Sequence, residues 1–308
     1  MKHLRLPRSL STAAVIFFLA AAASSASGQL LEFRFNDSGT TTANAGSSTD
    51  TGAFLDGPTA TPTAVDLHGA SGSGVSGLAG DLAFDNTGTT WQTSGSSRLK
   101  VEASTALNGL TSFTLSGWYK TSETTGWAAA RLFSKNTTGN ALELYFSTGS
   151  KAGGAGLNLA LATPGQTTST SVSSGLSADL GLADQWVFFA VSYDGTLTED
   201  NIRFYYGSTT TEVTLLTVGT LNAGTLAASP FDLNIGNNVS NRPWDGYLDN
   251  IRLFGATSGG GGALGMAQLE SWRQVDVIPE ASTALLLMTG LTMLMARHHF
   301  RGRRNEAA

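Results

Sequence analysis

The sequence predicts an all-β protein, a two-sheet antiparallel sandwich flanked by two apolar ends. Three observations carry that reading. Short alternating stretches separated by Gly, Asp and Asn turns run the length of the 308 residues, with almost no helical period. Asp184–Gly195 is apolar on both faces of an extended strand. Cysteine is absent and charged residues make up 13% of the chain, against about 25% in ordinary globular domains, so stability rests on an apolar core rather than on disulfides.

Asp184–Gly195 is the segment the rest is arranged around. Trp186, Phe188 and Ala190 fall on one face and Val187, Phe189 and Val191 on the other. Such a strand is expected between two layers, and Trp186 is expected to be buried. Tyr193-Asp194-Gly195 suits a hairpin turn, after which Ile202, Phe204 and Tyr206 alternate on a strand able to pair back.

The two ends stand apart from this body. Lys2, Arg5 and Arg8 precede apolar Ala13–Ala23 and small residues up to Gly28, which predicts a signal peptide over 1–28. A tail over 274–308 holds an apolar helix at 281–296 and a basic end at 297–304. Between them, Gln29–Asp276 has 11 Lys and Arg against 21 Asp and Glu, a net charge of −10. That charge repels phosphate backbones and argues against a nucleic-acid partner.

Taken in order, Leu31–Phe35 alternates as a first strand and Asn36–Gly39 turns it. Thr40–Gly80 predicts loops with one or two short strands. Leu82–Phe84 and Arg98–Val101 are short strands, and Phe113–Tyr119 is a strong one with Phe113, Leu115 and Tyr119 on one face. Arg131–Lys135, Ala141–Phe146 and Leu157–Leu161 follow, then a Ser/Thr-rich connection at Thr167–Ser177 that is expected to be exposed. After the central hairpin come Glu212–Val218, Phe231–Gly236 and a last core strand at Trp244–Phe254. A glycine run at Ser258–Gly262 leads to a short helix at Leu264–Arg273.

The ordered series Phe33–Asp37, Leu82–Asp85, Ser112–Trp118, Leu132–Lys135, Gln185–Ala190 with Tyr193–Gly195, Leu233–Gly236 and Gly246–Phe254 resembles the concanavalin A-like, laminin G-like jelly-roll domains of exported bacterial proteins. The resemblance covers residues 29–273 as one domain and implies a jelly roll that binds carbohydrate or other surfaces, often with calcium. The tail, Ile278-Pro279-Glu280-Ala281 with an apolar segment and Arg297, Arg301, Arg303 and Arg304, resembles the PEP-CTERM sorting signal of Gram-negative bacteria, with Ala281 where proline is usual. That implies an exosortase-type processing enzyme as partner, a transient inner-membrane intermediate, and release to the outer envelope or extracellular matrix.

Several residues are candidates for a site. Tyr247, Asp249, Ile251 and Leu253 share one face by simple alternation, which points the Asp249 carboxylate inward with core aliphatics. A buried carboxylate needs partners, and calcium is the natural ion for carboxylates, Asn and main-chain carbonyls. Asp85 and Asn86 are the expected co-ligands, with Asp37 more remote. Trp91, Trp127 and Trp244 fall near loops and are expected to offer faces to sugars. His68 is expected to be an exposed loop residue. Glu199 with Asp200, and Asp245 with Asp249, lack the acidic pattern of jelly-roll glycosidases and suit turns better. The function expected is an exported, envelope-associated binding or scaffold protein for extracellular polysaccharide, not an enzyme. A glycan-degrading hydrolase on the same fold and a ligand-free matrix protein stay open.

Overall fold

The computed structural model describes residues 28–57, 61–88, 97–122, 129–135, 142–146, 155–166, 168–238 and 242–278. The chain forms a two-sheet antiparallel jelly-roll sandwich. Its strands are β1 (Gln29–Phe33), β2 (Thr41–Ala43), β3 (Thr51–Asp56), β4 (Thr63–Ala64), β5 (Phe84–Asp85), β6 (Arg98–Val101), β7 (Ser112–Lys120), β8 (Arg131–Lys135), β9 (Leu142–Phe146), β10 (Leu157–Leu161), β11 (Thr170–Ser173), β12 (Val187–Asp194), β13 (Ile202–Ser208), β14 (Thr214–Gly219), β15 (Leu233–Ile235) and β16 (Tyr247–Ala256). One helix, α1 (Met266–Val277), follows them.

The first sheet runs β1-β16-β7-β12-β13-β14, with β5 beside the start of β16. The second runs β11-β10-β9-β8-β15-β6-β3-β2, with β4 on β3. The expected hairpin is present: β12 pairs with β13 with Tyr193 opposite Ile202, and β12 pairs with β7 on its other side. Thr170–Ser173, inside the stretch expected to be an open connection, is an edge strand paired to β10. Its exposed Ser and Thr side chains mask the strand in the sequence.

Val187, Phe189 and Val191 enter the core between the sheets, together with Phe113, Leu115, Tyr119, Leu248, Ile251 and Leu253. The opposite face of the same strands carries a second apolar cluster of Trp118, Phe188, Ala190, Phe254, Leu264 and Leu269. Helix α1 covers that face, which explains why the central strand is apolar on both sides. The helix runs to Val277, beyond the expected end at Arg273, because its last turn is held. Asp276 accepts both terminal nitrogens of buried Arg252 at 2.6 and 2.7 Å and the indole N–H of Trp118 at 2.8 Å. Arg252 also donates through Nε to Glu32 at 3.0 Å and lies 4.8 Å above the Trp272 ring. Glu32, one of the two charged residues in the alternating Leu31–Phe35, is 2% exposed.

Candidate functional site

The outer face of the first sheet is left uncovered by α1 at one end, and a site is built there. Lys120 closes β7, and Tyr247 opens β16 directly opposite it. The β7–β12 register pairs Val187 with Tyr119, so one further step sets Trp186 against Lys120 on the other side. Tyr247, Lys120 and Trp186 thus form one cross-strand row on the face that also carries Trp118. The Trp186 and Tyr247 ring centroids are 6.5 Å apart, with planes inclined by 55°.

A glycine- and serine-rich loop forms the remaining wall. Gly72 N–H and Gly74 N–H both donate to the Asp81 carbonyl, at 3.0 and 3.1 Å. Ser76 donates its N–H and its hydroxyl to Asp81 Oδ2 at 2.8 and 2.6 Å. A Cβ at Gly74 would stand 2.4 Å from Asp81 Cγ, so only glycine lets the loop close this tightly. Residues 72–77, Lys120, Trp186 and Tyr247 enclose a cavity of about 340 Å³. A neighbouring cavity of about 420 Å³ shares Ser76 and reaches Arg34, Asn36, Asp81, Asn250 and the end of α1.

Asp249 lies beneath this loop. Its Oδ2 accepts the Val75 N–H at 2.8 Å and its Oδ1 the Asn250 N–H at 2.7 Å. Burial pushes its carboxyl well above the usual range, helped by the charge of Asp81, although the two N–H donors work against the rise. The inward direction expected by alternation is corrected here. A β-bulge lies between Asp249 and Arg252, where Asn250 takes φ 47°. The extra residue shifts the period of two, so Leu248 and Ile251 both face the inter-sheet core while Asp249 faces out, under the loop.

The calcium donor set expected from the sequence does not fit the ion. Both Asp249 oxygens are held by N–H groups. Asp85 Oδ1 accepts the N–H and hydroxyl of Thr87 at 3.0 and 2.6 Å. Asn86 donates to the carbonyls of Gly236 and Trp244 at 3.1 and 2.7 Å and accepts from Ser97. Among the described residues no group of three His, Cys, Asp or Glu is placed to hold a metal. Asp245, weighed as a partner for Asp249 in hydrolysis, accepts the Gly88 N–H at 3.0 Å.

The tryptophans are redistributed. Trp244 is 0% exposed, stacked on Phe146 at 4.9 Å and edge-on to Tyr119 at 5.2 Å, so neither of its faces is open to a sugar. Trp186, expected to be buried, is half-buried on the cavity wall. It stands one residue before β12 and packs at the edge of the second apolar cluster, that of Trp118 and Phe188. Trp91 and Trp127 lie outside the described residues, as do Pro279, Glu280, Ala281, Arg297, Arg301, Arg303 and Arg304 and the signal peptide up to residue 27. Lys120, Tyr247 and the 72–77 loop were not among the sequence candidates. Their only sequence signal was the clustering of Gly and Ser, which marks loops in general.

His68 is also corrected. Its side chain is 4% exposed, with Nδ1 2.7 Å from Asp66 Oδ1 and Nε2 2.9 Å from Asp37 Oδ1. The ring meets Phe54 edge-on at 4.8 Å. The candidate co-ligand Asp37 is thereby committed to a staple between loops.

The fold is that of the concanavalin A-like proteins. The chain belongs to the Laminin_G_3 family of the concanavalin A-like lectin/glucanases superfamily, whose model matches residues 93–258. Among solved structures it is similar to domain 4 of AbnA, a GH43 extracellular arabinanase from Geobacillus stearothermophilus, in complex with arabinotriose. The TM-score is 0.51 at 14% identity, over 79% of this chain and 97% of that one. It is also similar to botulinum neurotoxin type C, whose cell entry depends on interaction with two ganglioside molecules. That match has a TM-score of 0.50 at 9% identity, over 82% of this chain and 52% of the toxin chain. At these identities the likeness is one of fold. No curated protein sequence matches the chain.

Proposed function

We propose that this protein binds carbohydrate at the cavity walled by Trp186, Tyr247, Lys120 and the 72–77 loop. The observation that carries the proposal is the composition of the wall. Two aromatic rings 6.5 Å apart stand over an opening of about 340 Å³, a volume in the range of small-molecule sites. Sugar rings present apolar C–H faces that lie on aromatic rings, while their hydroxyls need donors and acceptors at the edge. The hydroxyl oxygens of Ser73 and Ser76, as acceptors, and the Lys120 ammonium, as donor, supply that edge. The AbnA domain, a protein of the same fold, is in complex with arabinotriose, which supports the reading.

The activity is binding without bond cleavage. Asp249 has both oxygens taken by N–H groups and does not line the cavity, and the described residues that do line it include no carboxylate. The protein is exported by its N-terminal segment, and its tail delivers it through an exosortase-type enzyme to the outer envelope or matrix. Among the described residues no helix is long and apolar enough to cross a membrane.

A glycan array with the full chain tests the binding claim. One glycan class should be retained, and Trp186→Ala should weaken it by about tenfold or more, the worth of one aromatic anchor in a pocket. No retained glycan, or retention untouched by Trp186→Ala, would refute the site. Reducing-sugar release from the bound glycan would show an enzyme instead.

A further inference from the structure

We infer that the sugar taken at this cavity is anionic, carrying a ring carboxylate of the uronic acid type that Lys120 meets. The inference rests on the carbohydrate reading above and adds the class of sugar. Lys120 is the only Lys, Arg, Asp or Glu on the cavity wall among the described residues, and it stands between Tyr247 and Trp186 in the cross-strand row. The ion pairs of the described residues leave its ammonium out.

Three nearby carboxylates are committed elsewhere. Asp85 Oδ1 holds the N–H and hydroxyl of the Thr87 turn. Asp81 holds Ser76. Asp249 holds Val75 and Asn250. A cation with three donors is therefore left facing a half-enclosed space, where pairing with an anion is less screened than on open surface. The net charge of −10 over Gln29–Asp276 opposes anions at long range. At physiological salt that field decays over about 8 Å, so the contact inside the cavity decides. A uronic acid carries its carboxylate at the ring edge. The ring can lie on Trp186 or Tyr247 while the charge reaches the lysine beside them.

The test measures the full chain's affinity for an oligogalacturonate and for the neutral oligosaccharide obtained by reducing its carboxyls. The acid form should bind about tenfold tighter or more, the worth of a hydrogen bond to a charged group. Lys120→Met should bring the ratio of the two affinities close to one, and Lys120→Arg should restore it. Equal affinities in the wild type, a ratio unmoved by Lys120→Met, or a sulfated neutral oligosaccharide bound in preference to the uronate would each overturn the inference. Neutral binding that is still lost in Trp186→Ala would then leave the carbohydrate reading standing. Binding of none of these sugars, together with an empty array, would remove both.

Discussion

Val75 N–H donates to Asp249 Oδ2 at 2.8 Å across 174 positions of sequence. This bond fastens the loop that walls the candidate site to the strand beneath it. Asp249 is thus a positioning residue, and the loop's geometry depends on a carboxyl that never meets the ligand.

Asp249→Asn should expose that dependence. The amide nitrogen cannot accept, so one of two buried N–H donors loses its partner, at a cost of about 1–3 kcal/mol. The folded carboxyl titrates above its unfolded value, which is about 4. The native state therefore holds the proton more tightly, and this group's contribution falls as pH rises from about 4. The penalty of Asp249→Asn should be largest near pH 4 and shrink toward pH 8. Urea unfolding of both proteins across that range checks the sign, and a penalty that grows with pH would contradict it.

The two relocated tryptophans should separate stability from binding. Trp244→Ala removes a fully buried ring and should cost about 3–5 kcal/mol. Trp186→Ala, on the half-buried wall, should cost about 1–2 kcal/mol. Only the second should weaken glycan binding while the protein stays folded. Denaturant melts beside array binding give both numbers.

Arg252 and Asp276 should make the end of α1 indispensable. Ending the chain at Arg273 removes Asp276 and leaves Arg252 buried with Glu32 as its remaining carboxylate. Breaking one side of such a buried group costs about 3–5 kcal/mol. Unfolding of the shortened chain, and of Asp276→Ala in the full chain, should show similar losses. A loss below about 1 kcal/mol would mean that the helix end is peripheral.

The His68 staple predicts an acid-side weakness. Burial pushes the Asp37 carboxyl up, but the Ala43 N–H, Thr42 and His68 outweigh it and hold it below its usual range. Asp66 is lowered first by the His68 backbone N–H, and then, against a small burial effect, by the His68 ring. Depressed carboxyls stabilise above about pH 4 and lose that contribution as pH falls through their folded values. His68→Ala should make the fall in melting temperature between pH 5 and pH 3 shallower than in the wild type. An unchanged slope would dissociate the staple from acid stability.

Much of the fold was legible because period-two alternation survives in a sequence without cysteine and with few charges. Phe113, Leu115 and Tyr119, and the two faces of 187–191, stand where alternation puts them. So does the short helix after the glycine run, and its coverage of the second face accounts for the doubly apolar strand. The laminin G-like resemblance is borne out by the family model that matches residues 93–258.

The site was not legible, for three physical reasons. A bulge at Asn250 breaks the count, so no rule based on alternation alone could send Ile251 in and Asp249 out. Whether a tryptophan is core or wall depends on what lies over it. Trp244 falls between Phe146 and Tyr119, and Trp186 falls at the edge of the cluster under α1, beside Tyr247. The row Tyr247–Lys120–Trp186 joins three strands distant in sequence, and only register brings them level. Composition and periodicity determined an all-β sandwich, because burial demands alternation in every strand, and the family resemblance added the jelly-roll topology. The tertiary structure alone decided which side chains line an opening, because that depends on where one layer stops covering another.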